Sequence, residues 1–310
     1  MWKSKKDEKT CKEEKRTGQY DRSKNSHSMR GVLIGKGGNA KVYRLWQEEL
    51  GRFIVEKRSS DSLLWESFWM KKLHKFAVPD FYGVEKRKDG WVIQMEYLPG
   101  ENLEQLMSRK CIKETSQITI MKSIVQEILL IKKEFPNLVF CDIKPSNIIV
   151  NQKNKITFID FGAVVWAGNN RICQGTIPYA APEILEGNPG KKSDIYSIGQ
   201  IMEVLRERKK DFFYYWIIWP CIRKKEKQRS GNLKRLYRKL EQYERYKVCL
   251  KKLKKHWKII MKVIVLFLLW CLLKEINSAV FDRDELIMEW NKMKDMYRML
   301  LFIKLGRSFL

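Results

Sequence analysis

Asp142, Lys144 and Asn147 share one short segment, and Asp160 follows thirteen residues after Asn147. Two apolar runs, Ile148–Val150 and Ile156–Ile159, flank the polar turn Asn151–Lys155. The pattern predicts a β-hairpin with acidic and amide groups at its ends. Phosphoryl transfer uses such groups. A carboxylate orients an attacking hydroxyl, and oxygen ligands hold Mg²⁺ against the phosphates. Upstream, Gly35, Gly37 and Gly38 interrupt two runs that alternate with the β period, so backbone N–H groups can approach phosphate oxygens closely. Lys57 ends the apolar strand Phe53–Lys57, a place where an ammonium needs a partner.

These groups need elements to position them. The run Leu63–Leu73 has an amphipathic helical pattern, with Glu66 as its acidic residue. Residues 115–134 predict a mostly buried helix leading to the Asp142 segment. The chain of 310 residues is 44% hydrophobic and 12% aromatic, which excludes a disordered protein and allows one large domain or two lobes. Its seven cysteines are scattered without a Cys-x-x-Cys pair, so neither a disulfide framework nor a zinc site is suggested. With no apolar signal stretch at the N-terminus, the expected location is cytoplasmic.

Taken together and in order, the segments resemble the Hanks-type (eukaryotic-like) serine/threonine protein kinases over roughly residues 30–205. The resemblance implies an α+β, two-lobed fold, with a mainly β N-lobe, a mainly α C-lobe, and ATP and Mg²⁺ in the cleft. By resemblance, Lys57 grips the α/β-phosphates and is paired with Glu66. Ile34, Gly35, Gly37 and Val42 form the flap over the nucleotide, with Ala40 where the family has its third glycine. Met95 is the gatekeeper, the backbone of Glu96 and Leu98 meets the adenine, and Asn102 lies near the ribose. Asp142 is the catalytic carboxylate, Lys144 stabilises the transferring phosphoryl group, and Asn147 and Asp160 hold the metal. Gly175–Glu183 resembles the substrate-docking loop, with Thr176 approaching Asp142, an arrangement that goes with a protein substrate bearing a Ser or Thr acceptor. Asp194, in Ser193–Gly199, braces the catalytic loop.

Two departures belong together. The family's His-Arg-Asp is Phe140-Cys141-Asp142, and that arginine normally pairs with a phosphate on the activation segment. The segment Ala163–Gly175 contains no Ser, Thr or Tyr. An enzyme not switched by phosphorylation there is expected. The alternatives are a pseudokinase module that binds ATP without transfer, and a small-molecule phosphotransferase on a related fold.

By domain, residues 1–28 form a flexible basic tail, 29–97 the N-lobe, 98–222 the catalytic part of the C-lobe, and 223–310 a divergent basic helical part of it. Formal charge is +26, and residues 223–258 hold 16 Lys and Arg against 3 Glu, a net +13. Leu233, Leu236, Leu240, Tyr243, Leu250, Leu253 and Trp257 fall on one helical face there. A solvated helix packed on the C-lobe, a helix on an anionic membrane surface, and a dock for an acidic partner compete for this segment. No specific nucleic-acid partner is expected. Ile259–Leu273 is expected to be a buried C-lobe helix, with a membrane span as the alternative. Arg283 is the candidate partner of Glu183.

Overall fold

The computed structural model describes residues 31–109, 112–169, 175–229, 231–277 and 287–295. The tail 1–28, residues 170–174 of the activation segment and Arg283 lie outside them. The chain divides into two compact units at Tyr243/Glu244.

The first unit opens with a five-stranded antiparallel sheet: β1 (Val32–Lys36), β2 (Ala40–Gln47), β3 (Arg52–Ser59), β4 (Phe81–Arg87) and β5 (Gly90–Glu96), in the order β1-β2-β3-β5-β4. Central β3 is paired on both edges and covered on both faces, so Ile54 to Lys57 are all buried. The register sets Lys57 against Val42 on one side and Ile93 on the other. Glu56, on the opposite face, is held by Arg58, Arg87 and Gln94. Helix α1 (Leu64–Lys72) packs on β4 and buries Glu66, Trp69 and Met70.

Next come β6 (Glu101–Asn102) and α2 (Leu103–Ser108). Helix α3 (Glu114–Glu134) follows, burying Ile124, Ile128 and Ile131 among others at helical spacing. Each such side chain contributes about 1.5–3 kcal/mol on burial, which drives the helix into the core. β8 (Ile148–Val150) and β9 (Ile156–Phe158) form the hairpin that the sequence pattern predicts, with Ile148 paired to Phe158. Short strands β7 (Leu138–Val139) and β10 (Val165–Trp166) pair on either side of it in sequence. Helices α4 (Pro182–Leu185) and α5 (Ser193–Leu205) follow. The antiparallel sheet and the helical region after it give the expected α+β architecture.

Helix α6 (Leu233–Asn277) begins in this core. Leu233, Leu236, Leu240 and Tyr243 are all buried. The face foreseen for it ends there, since Leu253 and Trp257 are exposed. The basic 223–310 segment is therefore not one structural part: residues up to Tyr243 belong to the first unit. From Glu244 onward α6 and a helical stretch over 287–295 form the second unit, where the Phe267 ring lies tilted against Trp290 with centroids 4.5 Å apart. Burial of Ile259–Leu273 is overturned. Leu266, Leu268, Leu269, Leu272 and Leu273 are all exposed, because no apolar element of the described chain covers them.

Candidate active site

The β8–β9 register carries the chemistry to one end of the hairpin. Asn147 precedes β8, its carbonyl accepts from the Ile159 N–H at 2.9 Å, and Asp160 comes next. Two non-glycine residues here hold left-handed backbone conformations, Cys141 at φ 64° and Asp160 at φ 71°. Such positions cost of order 1–3 kcal/mol and cluster at functional sites. At Cys141 the turn closes tightly, with the Asp142 N–H donating to the Phe140 carbonyl at 2.8 Å.

Asp142 is gripped from three sides. Thr176 donates through Oγ1 to Asp142 Oδ1 at 2.7 Å, Lys144 Nζ lies 2.8 Å from Oδ2, and Asn147 Nδ2 lies 3.3 Å from Oδ2. Lys144 also donates to Thr176 Oγ1 at 2.9 Å, closing a Lys–Thr–Asp triangle. The carboxylate is thus held in one orientation, half-buried.

A second charged cluster forms around Lys57. Its Nζ reaches Glu66 Oε2 at 2.7 Å, Glu66 Oε1 at 2.9 Å and Asp160 Oδ1 at 3.0 Å. Burial alone would lower its pKa, but the charges of Glu66 and Asp160 outweigh that and hold it above the ordinary lysine range. Burial opposes ionisation of Asp160 too, and Lys57 overcomes it, so that carboxyl stays below the ordinary range. Both groups are charged at neutral pH.

The donor set fits ATP with Mg²⁺. Asn147 turns its Nδ2 to Asp142, which leaves its Oδ1 available as an oxygen ligand, and the Asp160 carboxylate supplies another. Two protein oxygens completed by phosphate oxygens and water is the usual way Mg²⁺ is bound. Accordingly, no cluster of three or more His, Cys, Asp or Glu able to hold a metal occurs among the described residues. In the β1–β2 turn, a Cβ on Gly37 would meet nothing nearer than 3.8 Å and one on Gly38 nothing within 4 Å. Neither glycine takes a left-handed φ. The chain's own packing does not require glycine there, so the bare backbone leaves room for a ligand. Gly35 and Val42 are register partners on the two strands, and Ile34 is exposed. Met95 is buried at the back, and Glu96 and Leu98 lie where the chain leaves the sheet. Asn102 also has a local structural task. It is the N-cap of α2, where Oδ1 accepts from the Gln105 N–H at 2.8 Å and Gln105 Oε1 accepts from the Asn102 N–H at 3.1 Å.

Behind the site, Asp194 on α5 accepts from the Phe140 N–H at 3.0 Å. The sequence reading missed the group facing it: Lys132 of α3 lies 2.6 Å from the second oxygen of Asp194. Phe140 is buried and tilts against Phe158 and Phe161, with ring centroids 5.6 and 6.5 Å away. Cys141 is buried in a small apolar cluster with Val139, Val165, Ala180, Ala181 and Ile184. Where an arginine would meet a phosphate, the chain has packing. A second contact missed in the sequence joins α1 to the start of the activation segment. Trp65 Nε1 donates to the Val164 carbonyl at 2.8 Å, and Trp69 packs edge-on to Trp166 at 5.1 Å. The partner of Glu183 is Arg229, which meets it with both guanidinium nitrogens, and Ser193 Oγ adds a 2.6 Å bond. Arg229 sits in a run of basic residues that gave the sequence reader nothing to single it out. Arg283, the candidate in the sequence, lies outside the described residues.

The profile of the protein kinase domain matches residues 29–275. Over 191 residues the chain is 29% identical to calcium-dependent protein kinase 4 of Plasmodium falciparum, covering 56% of this chain and 36% of that protein. It is 31% identical over 189 residues to a putative serine/threonine-protein kinase/receptor of Acanthamoeba polyphaga mimivirus, covering 56% of this chain and 11% of the other. A probable serine/threonine-protein kinase of Zea mays is 27% identical over 194 residues, covering 57% and 30%. In each case the match takes in little more than a third of the relative's length, or less.

Proposed function

The chain belongs to the protein kinase domain family, and on that premise we propose that it transfers the γ-phosphoryl group of ATP to Ser or Thr hydroxyls of protein substrates, without phosphate on its own activation segment. The observation that carries the reading is the Lys144–Thr176–Asp142 triangle together with the Lys57–Glu66–Asp160 cluster. Asp142 orients the acceptor hydroxyl and takes its proton, and Lys144 offsets charge on the group in transit. Lys57 grips the α/β-phosphates, with Glu66 fixing its ammonium. Asn147 and Asp160 hold Mg²⁺, which, when bound with ATP, neutralises charge on the phosphates. Ile34, Gly35, Gly37 and Val42 cover the nucleotide, and the backbone of Glu96 and Leu98 receives its base.

Independence from phosphorylation is supported by the buried Cys141 and by the Trp65 and Trp69 contacts, which tie the activation segment to α1 without a phosphate. The Thr176 triangle and the names of the relatives support Ser/Thr acceptors. A cytoplasmic location goes with this reading, supported by seven scattered cysteines without a Cys-x-x-Cys pair.

The test is transfer from labelled ATP with Mg²⁺ to the chain itself and to a basic protein, beside Asp142→Asn. Label on phosphoserine or phosphothreonine that disappears with Asp142→Asn is expected. Nucleotide binding without transfer would instead make the chain a binding module.

A further inference from the structure

Between Glu244 and Glu275 the sequence has no acidic residue. Within that interval α6 is first basic and then apolar. Lys251, Lys254 and Lys258 are exposed and follow one another at helical spacing. The same face continues as Met261, Val265, Leu268 and Leu272, all exposed. Packing within the unit covers another stripe, where Phe267 meets Trp290. The remaining circumference is bare, with Leu266 65% and Leu273 62% exposed. No charged residue occurs from Val263 to Leu273.

We propose that this half of α6 is a membrane anchor: the lysines meet anionic lipid headgroups and the apolar end inserts into the hydrocarbon. A helix that merely lies on a bilayer keeps a polar face along its length. Val263–Leu273 has none, so insertion rather than surface adsorption follows. Ile259–Leu273 extends about 22 Å at the α-helical rise against the roughly 30 Å of a hydrocarbon core, and by length and composition α6 carries a stretch long and apolar enough to cross a membrane, so the end inserts deeply. Trp257, 63% exposed, stands where the lysines give way to the apolar run, the level at which tryptophan favours a membrane interface. Lys262, one turn inside, can extend its ammonium back to the headgroups. A second copy of the chain is the poorer occupant. Coiled-coil pairing needs polar residues flanking its seam, and two parallel copies would bring their lysine arrays together.

The experiment is flotation of the full chain with vesicles of phosphatidylcholine alone and of phosphatidylcholine mixed with phosphatidylglycerol. The chain is expected to float with the mixed vesicles and to stay bound when salt is raised afterwards. Leu268→Glu with Leu272→Glu, both at exposed positions, should leave it at the bottom of the gradient with an unchanged circular dichroism spectrum. Neutralising Lys251, Lys254 and Lys258 to Gln should weaken partitioning into mixed vesicles by about fivefold per lysine, with little effect on neutral ones. The proposal is overturned if the wild-type chain sinks with both vesicle types. It is equally overturned if the double glutamate variant floats like wild type, or if the only effect of that variant is to split a soluble oligomer. No outcome depends on phosphate transfer, so failure here leaves the reading of the catalytic unit untouched.

Discussion

At the residue scale the cleft is a problem of buried charge. Glu66 is 3% exposed, and Lys57 is its neutralising partner. Lys57→Met should lower phosphate transfer at least 10²-fold, as losing a preorganised charge at a transferring phosphate does. It should also destabilise the fold by about 3–5 kcal/mol, because a buried carboxylate loses its counter-ion. Lys57→Met with Glu66→Met should recover most of that stability in urea unfolding and none of the rate. Equal loss of stability in the single and double variants would contradict this. Glu56 makes a separate pH prediction. Burial pushes its carboxyl up, but bonds from Arg87, Gln94 and Arg58 prevail and bring its pKa from 4.5 to about 2. A depressed carboxylate stabilises the fold fully above its unfolded value and loses that contribution as pH falls from about 4.5 towards 2, on the order of 3 kcal/mol in all. Thermal melts should show this acid slope reduced in Glu56→Gln. Residue types at fixed spacing made Lys57, Asp142, Asn147 and Asp160 legible as candidates. Asn102 carries a further local signal, Asn-x-x-Gln at the start of a helix, which marks the capping box the structure shows.

At the element scale, α1 is coupled to the activation segment by indole contacts rather than by a phosphate. Trp166→Ala removes the ring packed on Trp69 and leaves Lys57, Asp142 and Asp160 in place. Aromatic pairs of this kind contribute about 0.5–1.5 kcal/mol beyond area burial, so transfer should fall roughly three- to tenfold. Hydrogen exchange over β10 should accelerate with it, while exchange in β3 stays as it was. Acceleration throughout the sheet would point to general destabilisation instead. The hairpin β8–β9 was legible because a polar turn separates two short apolar runs. The indole contacts were not, because Trp65 and Trp166 are far apart in sequence and periodicity says only that such residues are apolar.

At the scale of the whole molecule, the catalytic unit closes at Tyr243, where the last apolar residue of the α6 face is buried. Periodicity in the sequence continues through Leu250 and Leu253 to Trp257, so it predicts one long apolar face, with the C-lobe, a membrane surface and an acidic partner competing to meet it. A helical pattern specifies which residues share a side, but not whether the fold supplies a surface to meet them. The same limit explains Ile259–Leu273, whose apolar composition suits a core and a bilayer equally. Only the absence of covering elements among the described residues separates the two.

The most direct measurement starts from the chain stripped of all phosphate by phosphatase, with its intact mass verified, and follows a single turnover of ATP with Mg²⁺. The account predicts transfer at once and without lag, abolished by Asp142→Asn. A folded, phosphate-free chain that binds nucleotide and transfers nothing, or does so only after phosphate is restored to it, would contradict the account.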